Sequence, residues 1–141
     1  MSIESNKTIV RRYYDEVLNG GRIAVLDELA TGDYVENDPF PGQGDGRSDL
    51  KARVSTLLTA FSPCTFTIED VVAEGDRVAV RWTSSGNHSG DFLGMPPTYR
   101  DYTITGIDIH RMTGGRMAEH WHVVDQLSQL QQLGMIPSPS S

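Results

Sequence analysis

The chain has 141 residues, the size of one ordinary domain. Its 12 Lys and Arg against 19 Asp and Glu leave a net charge of −7, which argues against nucleic acid or an anionic membrane surface as partner, because both require a cationic face. The single cysteine, Cys64, excludes an intrachain disulfide and a zinc module built on several cysteines. No run is apolar enough for a signal peptide or a membrane span. We therefore expect one soluble, cytoplasmic domain over residues 1–141 that acts on a small molecule or a protein.

The first part of the chain predicts helices. Apolar residues at spacings of three and four predict a helix over residues 5–19, which Gly20 and Gly21 end. A shorter helix is expected over residues 22–30. Residues 31–46 are rich in Gly, Pro, Asp and Asn, which predicts a loop with only a brief extended piece at residues 34–35. Ser48 is the expected N-cap of a third helix, whose apolar stripe runs from Leu50 to Phe61.

The second part of the chain predicts strands. Alternating apolar and polar residues predict strands at 65–73, 77–87, 100–112 and 116–125, a short helix at 125–133 and a disordered tail over 135–141. Helices first and antiparallel strands afterwards indicate an α+β fold. Because a twisted antiparallel sheet curls, helices packed on its concave face would leave a cone with an apolar cavity for a small molecule.

The last two strands hold most of the residues that can carry chemistry. Asp108 and His110 share one face of the first strand, and His120 and His122 share one face of the second. If residues 114–116 form a three-residue turn, Asp108 lies opposite His122 and His110 opposite His120, whereas a turn one residue shorter breaks that match. A His beside an Asp is an acid/base pair in outline, because the carboxylate fixes the imidazole tautomer and raises its basicity.

Two other interpretations of this hairpin stay open. The face with the histidines could point to solvent, where His and Asp are ordinary. The same imidazole and carboxylate groups are also ligands suited to zinc or iron, although such spacing is common by chance.

Pocket residues are expected on other elements as well. The candidates are Tyr14 on the first helix, Glu36 in the loop after the second helix, Arg53 on the third helix, Trp82 on the second strand and Met95 in the loop that follows it. Each also has a plain structural interpretation: Tyr14 and Trp82 as core, Glu36 as a solvated turn residue, and Arg53 as an exposed partner in a salt bridge. Cys64 has no basic neighbour in sequence, so nothing indicates a nucleophile.

Several stretches of the chain resemble one family. The segments IVRRYYDEVLNGG, DYVENDPFPG, FLGMPPT and EHWHVVD are similar to those of the SnoaL-like polyketide cyclases and ester cyclases, and the resemblance runs from about residue 6 to residue 134. It implies the cone-shaped α+β fold of the nuclear-transport-factor-2-like superfamily. It also implies intramolecular aldol ring closure of a polyketide in an apolar pocket, no cofactor, no metal, and assembly as a homodimer or homotetramer.

The resemblance also maps functional positions, with departures. The family's acid/base Asp falls at His122, a family His on the neighbouring strand falls at Asp108, and a family Asn falls at Glu36. A proton could still move, with His122 as the base and Asp108 orienting it, while His110 or His120 polarises a substrate oxygen. We therefore expect a cofactor-independent cyclase or isomerase of secondary metabolism acting on a hydrophobic carbonyl compound. The alternatives are an epoxide-opening enzyme that uses Asp108 with Glu36, and a ligand-binding domain without catalysis.

Overall fold

Most helices come first and most strands follow, with one strand between the second and third helices and a last helix after the sheet, in a computed structural model that describes residues 2–138. Helix α1 is Ile3–Arg12 and continues as the π-helical segment Tyr13–Leu18; a 3₁₀ turn at Ile23–Val25 leads into helix α2, Leu26–Leu29. The remaining elements are β1 (Ala30–Glu36), α3 (Arg47–Ala60), β2 (Phe61–Glu74), β3 (Arg77–His88), β4 (Asp101–Thr113), β5 (Arg116–Val124) and α4 (Gln126–Gln132).

The sheet has five strands in the order β1-β5-β4-β3-β2. Every neighbouring pair is antiparallel except β1 and β5, which run parallel. The expectation of a purely antiparallel sheet is therefore wrong at this edge, and the predicted loop over residues 31–46 begins with most of a strand. Gly32 and Asp33 of β1 are rarely found in strands, so the sequence pattern does not reveal this one. The strand forms because backbone groups of β5 supply its hydrogen bonds.

The α+β prediction is confirmed, since the helices cover one face of a curved sheet that does not close. Irregular positions in β2 and β5 interrupt the ladder, and such bulges bend a strand. On the covered face Val78, Val80 and Trp82 are buried in the core with the apolar side of the helices. Between β3 and β4, Trp82 lies opposite Gly106, where an added Cβ would stand 2.1 Å from the indole ring. The absence of a side chain at Gly106 is what lets Trp82 lie across the sheet.

The outward face of β4 and β5 carries exposed apolar side chains, whereas part of the inward face is polar. Ile107 and Val123 are 51% and 76% exposed, whereas Asp108 and His110 are 6% and 0% exposed. The interpretation that the histidines face solvent is therefore wrong. The polar groups of the hairpin are enclosed between the sheet and the helices.

The hairpin has the expected register, but its turn is shorter than predicted and β5 contains an extra residue. Asp108 lies opposite His122 and His110 opposite His120, as predicted for a three-residue turn. The turn, however, has only the two residues Gly114 and Gly115, because Thr113 pairs with Arg116. An extra residue in β5, Ala118, bulges between Met117 and Glu119 and shifts the register by one.

The ends of the elements bring two further corrections. Gly46 rather than Ser48 precedes the first turn of α3, with a φ of 103° that favours glycine, and its N–H donates to the Tyr34 carbonyl of β1. Helix α3 ends at Ala60, so Phe61 belongs to β2.

Of the tail expected to be disordered, Met135 packs against the core, and residues 139–141 lie outside the described residues. Within residues 2–138 no helix combines the length and apolar content that crossing a membrane requires.

Candidate functional site

A cavity opens between the sheet and the helices. About 630 Å³ of space inside it is free of protein atoms, its open mouth included. Aromatic and aliphatic side chains form most of its wall, and Arg53, Asp108, His120 and His122 form a charged end. The aromatic and aliphatic lining residues are Tyr13, Leu18, Phe40, Leu57, Phe61, Phe66, Trp82, Phe92, Tyr102, Ile104 and Val124. A cavity of this kind, apolar with a few convergent polar groups, is the usual form of a small-molecule site.

A buried chain of ionic contacts runs behind this charged end. His120 Nε2 lies 3.0 Å from Asp108 Oδ1, and its Nδ1 lies 2.8 Å from Glu36 Oε1. Arg53 donates from a guanidinium nitrogen to the same Glu36 oxygen at 2.7 Å. The side chains of Glu36 and His120 are 0% and 3% exposed, so these contacts are shielded from water. Two carboxylates and two cations alternate, which compensates the cost of burying each charge.

His120 is the imidazolium of this chain. Burial alone would lower the pKa of His120, but hydrogen bonds to Asp108 and Glu36 outweigh it and raise the pKa above its ordinary value. Both ring nitrogens then donate, one to each carboxylate. Burial likewise opposes ionisation of Asp108 and Glu36, yet the hydrogen bond and charge of His120 hold the pKa of each carboxyl below its usual value. Both carboxylates are therefore ionised at neutral pH.

Asp108 is held from the side opposite His120 by two more donors. Trp82 Nε1 donates to Asp108 Oδ2 at 2.9 Å, and the Tyr14 hydroxyl donates a short hydrogen bond to the same oxygen. Since the Tyr14 proton is used in this way, its oxygen accepts from His110 Nε2 at 2.9 Å. Burial, together with the positive charge of His120, lowers the pKa of His110 to about 3, so His110 is a neutral donor. These contacts leave Asp108 no freedom to move toward a substrate.

His122 differs from the other two histidines of the hairpin because it is only half-buried; like His120, it lines the cavity. Its Nε2 lies 2.7 Å from the carbonyl oxygen of Asp38, which can only accept, so Nε2 carries the proton. The Nδ1 lone pair faces an Arg53 nitrogen across 3.5 Å, a long contact. Burial and the positive charges of Arg53 and His120 lower the pKa of His122. At neutral pH this ring is an uncharged imidazole with a fixed tautomer.

The predicted pair of Asp108 and His122 is not formed. The two residues are opposite in register, but Asp108 bonds to the neighbouring His120, because Tyr14 and Trp82 hold its other oxygen. The partner that orients His122 is the loop residue Asp38. Its carboxylate also accepts the His122 backbone N–H at 2.9 Å.

The remaining predicted site residues are divided between the cavity wall and the layer behind it. Arg53 and Trp82 line the cavity, and the plain interpretation of Arg53 as an exposed residue is wrong, since its side chain is 8% exposed. Tyr14, Glu36 and His110 lie behind the wall and are connected to it through Asp108, His120 and Arg53. The interpretation of Glu36 as a solvated turn residue is also wrong. Met95 is not among the lining residues, and Phe92, its partner in the loop, lines the cavity instead.

Several lining residues were missed in the sequence. Phe40 stacks under the Arg53 guanidinium, 4.7 Å from its ring centroid, and nothing in the loop pattern indicates this. Ser84 and Tyr102 could have been found. Ser84 continues the inward positions Val78, Val80 and Trp82, where a polar residue interrupts an apolar face.

Among the described residues, two groups of side chains bring enough donor atoms together to hold a metal ion. Glu36, His120 and His122 form one group, and Asp108, His110 and His120 form the other. In both groups His120 already uses its two nitrogens for carboxylates, and the Arg53 guanidinium occupies the space beside Glu36 and His122. A cation would have to displace this guanidinium, so the donor set fits an internal ion network better than a metal centre.

The sequence match and the fold together define the class of this protein. The model of the SnoaL-like polyketide cyclase family matches residues 8–133. The chain belongs to that family, and the resemblance stated from its motifs is confirmed. No curated protein matches the chain.

Solved structures show the same fold over nearly the whole chain. TsrD from Streptomyces laurentii is 27% identical with a TM-score of 0.88, covering 96% of this chain and 99% of its own. IdmH from Streptomyces antibioticus, described as a candidate polyketide cyclase, is 30% identical with a TM-score of 0.78, covering 92% and 98%. A candidate polyketide cyclase from Acidithiobacillus ferrooxidans is 31% identical with a TM-score of 0.81, covering 96% and 99%.

Proposed function

We propose that this protein is a cofactor-independent cyclase of secondary metabolism that closes a ring in an apolar, carbonyl-bearing, polyketide-like molecule by an intramolecular aldol reaction. Membership of the family supports the reaction class. The observation that carries the proposal is the neutral imidazole of His122, fixed at the charged end of an apolar cavity beside Arg53 and the imidazolium of His120.

The geometry of His122 supports its role as the base. A general base needs a free lone pair, a fixed tautomer and a position in the cavity. The Asp38 carbonyl fixes the proton on Nε2, and the long contact to Arg53 leaves the Nδ1 lone pair only loosely engaged. Asp108 lacks this freedom, because three donors already occupy its oxygens.

Arg53 and His120 support the stabilisation of an enolate. Both cations are fixed by Glu36, so they need no rearrangement when negative charge develops on a substrate oxygen. The Arg53 guanidinium lines the cavity beside His122. A carbonyl oxygen bound there would become an enolate oxygen at low electrostatic cost.

These roles give a balanced reaction. His122 Nδ1 takes a proton from the carbon next to the bound carbonyl, and the C–H electron pair passes into the enolate. The enolate carbon attacks a second carbonyl of the same molecule, which forms the new C–C bond and leaves an alkoxide. The alkoxide takes the proton back from His122. The product is an isomer of the substrate, so neither a redox partner nor another reactant is consumed.

The charge states of the carboxylates favour this reaction over the opening of an epoxide by Asp108 and Glu36. That alternative needs one carboxyl in its protonated form to protonate the epoxide oxygen. The hydrogen bonds of His120 keep the pKa of both carboxyls below their usual values, against the effect of burial. Neither group is a proton donor at neutral pH.

The test measures proton abstraction directly. In D₂O, a base that forms the enolate exchanges the α-hydrogens of a bound ketone for deuterium, which mass spectrometry detects without any ring closure. The probes are 2-acetylnaphthalene and an aryl β-keto ester. We expect His122→Asn to lower the enzyme-catalysed exchange rate at least ~10²-fold, because the amide has no comparable basic lone pair.

The control is Trp121→Phe, which changes the adjacent residue on the outer face of β5 and should keep the wild-type rate. Exchange at the wild-type rate in His122→Asn would contradict the assignment of the base. Saturable binding of the ketones with no exchange above the rate in buffer would instead identify a ligand-binding domain.

A further inference from the structure

The cavity has a second polar group of side chains away from its charged end. Ser84 on β3, Tyr102 on β4 and Cys64 on β2 all line it, surrounded by the rings of Phe61, Phe66 and Phe92. Ser84 and Tyr102 are 2% and 4% exposed. The acid/base chemistry proposed above uses none of these three residues.

The two hydroxyls of this group lack strong hydrogen bonds. Each lies beside the Cys64 sulfur, 3.9 Å from Ser84 Oγ and 3.7 Å from the Tyr102 hydroxyl, and the two hydroxyls also interact, since a contact with Ser84 acts to lower the pKa of Tyr102. Sulfur is a weak donor and acceptor, and these distances are long. Buried hydroxyls normally have a full partner, because a buried polar group without one loses the hydrogen bond that it makes with water in the unfolded chain. Both groups therefore have capacity for another oxygen.

The position of this group along the sheet sets its separation from the reacting end. Ser84 lies opposite Ile104, and Ile104 is four residues from Asp108 on the same inward face of β4. At the rise of a β-strand, four residues span about 13 Å. Trp82 and Gly106 form the row between them, so the wall that joins the two ends is flat and aromatic.

The protonation states indicate what this group can recognise. Burial raises the pKa of the Cys64 thiol and of the Tyr102 phenol, so both stay neutral at physiological pH. A neutral cluster of hydroxyl and thiol groups suits an uncharged oxygen that donates or accepts a hydrogen bond. A carboxylate or an ammonium group would be buried there without a counter-charge.

We infer that Ser84, Tyr102 and Cys64 form a specificity subsite that binds a neutral oxygen, a hydroxyl or carbonyl, at the end of an elongated aromatic substrate remote from its reacting carbonyl. This inference rests on the proposed function, because it takes the same cavity as the substrate site. It narrows the substrate class to molecules that carry oxygen at both ends of a flat apolar body.

The test compares the binding of two ketones that differ in one oxygen, 2-acetylnaphthalene and 6-hydroxy-2-acetylnaphthalene, measured by calorimetry or ligand fluorescence. We expect the wild-type protein to bind the hydroxylated ketone about tenfold more tightly, since each new hydrogen bond contributes modestly and two are available. The double variant Ser84→Ala with Tyr102→Phe should lose this preference and keep its affinity for 2-acetylnaphthalene.

The matched control removes two hydroxyls from the same strands on the outer face. Ser85 and Thr103 lie one residue further along β3 and one along β4, and their hydroxyls bond to each other at 2.9 Å outside the cavity. Ser85→Ala with Thr103→Val should keep the tenfold preference. Should the double variant Ser84→Ala with Tyr102→Phe fail to fold, the nearly isosteric Tyr102→Phe alone makes the same comparison, with a loss of about threefold in preference.

The outcomes separate the subsite from the proposed function. Equal binding of both ketones by the wild-type protein, or a preference that survives in the variants, overturns the subsite and leaves the proposed chemistry intact. Failure of both ketones to bind overturns the cavity as a substrate site, and with it both proposals.

Discussion

His110 and His120 show how far neighbouring groups can shift the pKa of one residue type in opposite directions. Their rings stack with centroids 5.0 Å apart, and both are buried. His120 lies between two carboxylates, which raise its pKa against the effect of burial. His110 lies behind it, and burial together with the charge of His120 lowers its pKa to about 3. His120 therefore carries the extra proton that makes it an imidazolium, and its positive charge helps to keep the neighbouring His110 from taking up another.

The neutral state of His110 predicts a loss of stability in acid. Its pKa is near 6.5 in the unfolded chain and about 3 in the folded protein, so the unfolded state takes up a proton first as the pH falls. The stabilisation lost at this residue alone is about 2 kcal/mol between pH 7 and pH 5. The variant His110→Gln keeps a donor for Tyr14 and cannot titrate. Between pH 7 and pH 5 its free energy of unfolding should therefore fall by about 2 kcal/mol less than that of the wild type.

Urea denaturation at a series of pH values measures the two curves. The carboxylates whose pKa values are lowered act mainly below pH 5, and they are present in both proteins, so the difference between the curves isolates His110. Parallel curves for the wild type and His110→Gln between pH 7 and pH 5 would contradict the neutral assignment of this residue.

Among the elements, the π-helical segment Tyr13–Leu18 has the most direct effect on the site. A π-helix turns less per residue than an α-helix, so two consecutive side chains can both face the core. Tyr13 and Tyr14 are 6% and 0% exposed, and their rings meet edge to face at 5.2 Å. Tyr13 lines the cavity, while Tyr14 connects Asp108 with His110. A regular α-helix would turn one of these rings further from the core.

The hydroxyl of Tyr14 is predicted to stabilise the fold through this connection. Tyr14→Phe keeps the ring but leaves His110 Nε2 without its partner and removes one donor from Asp108, so we expect a loss of about 1–3 kcal/mol in the free energy of unfolding. Tyr13→Phe is the matched control, because it removes a hydroxyl from the adjacent residue without breaking this connection, and it should cost less than about 0.5 kcal/mol. Equal losses in urea denaturation would show that the connection adds nothing.

The elements differ in how well the sequence predicts them. The strands of the hairpin and the faces of Asp108, His110, His120 and His122 follow from alternation, which is a local property of a strand. The pairing of Asp108 with His120 does not, because the choice between His122, directly opposite, and His120, two residues away on the same face, depends on the side chains that hold Asp108 from behind. The bulge at Ala118 is also hidden, since nothing in the sequence distinguishes a longer turn from a shorter turn with an extra residue in the strand.

At the scale of the whole molecule, the site depends on contacts between distant parts of the chain. Tyr14 is 94 residues from Asp108, and Glu36 is 84 residues from His120. Glu36 reaches His120 because β1 pairs with β5 in parallel and sets the two residues side by side. Pattern reading gives the faces of single elements but no partners across such distances. The fold class could be predicted from the order of elements, whereas the ion network could not.

The outer face of the sheet carries an apolar surface that no other part of residues 2–138 covers. Ile107 and Ile109 on β4, Val123 on β5 and Val72 on β2 are 51%, 38%, 76% and 66% exposed. They lie in two adjacent rows across the sheet, in which Ile107 is opposite Val123 and Ile109 is opposite Trp121. Contiguous exposed apolar surface of this kind marks an interaction site, and a second copy of the chain can cover it with the same face.

We therefore expect the protein to form a homodimer through this face, and Val123→Asp to weaken it. The new carboxylate would be buried against apolar side chains of the second copy without a counter-charge, which is costly. Sedimentation velocity over a range of concentrations should show a dimer for the wild type and a monomer for the variant, with unchanged far-UV circular dichroism. Ile3→Asp is the control, because Ile3 is 40% exposed at the start of α1, on the helical side of the molecule. A wild-type monomer, or a variant that dimerises as strongly as the wild type, would show that this apolar face has another role.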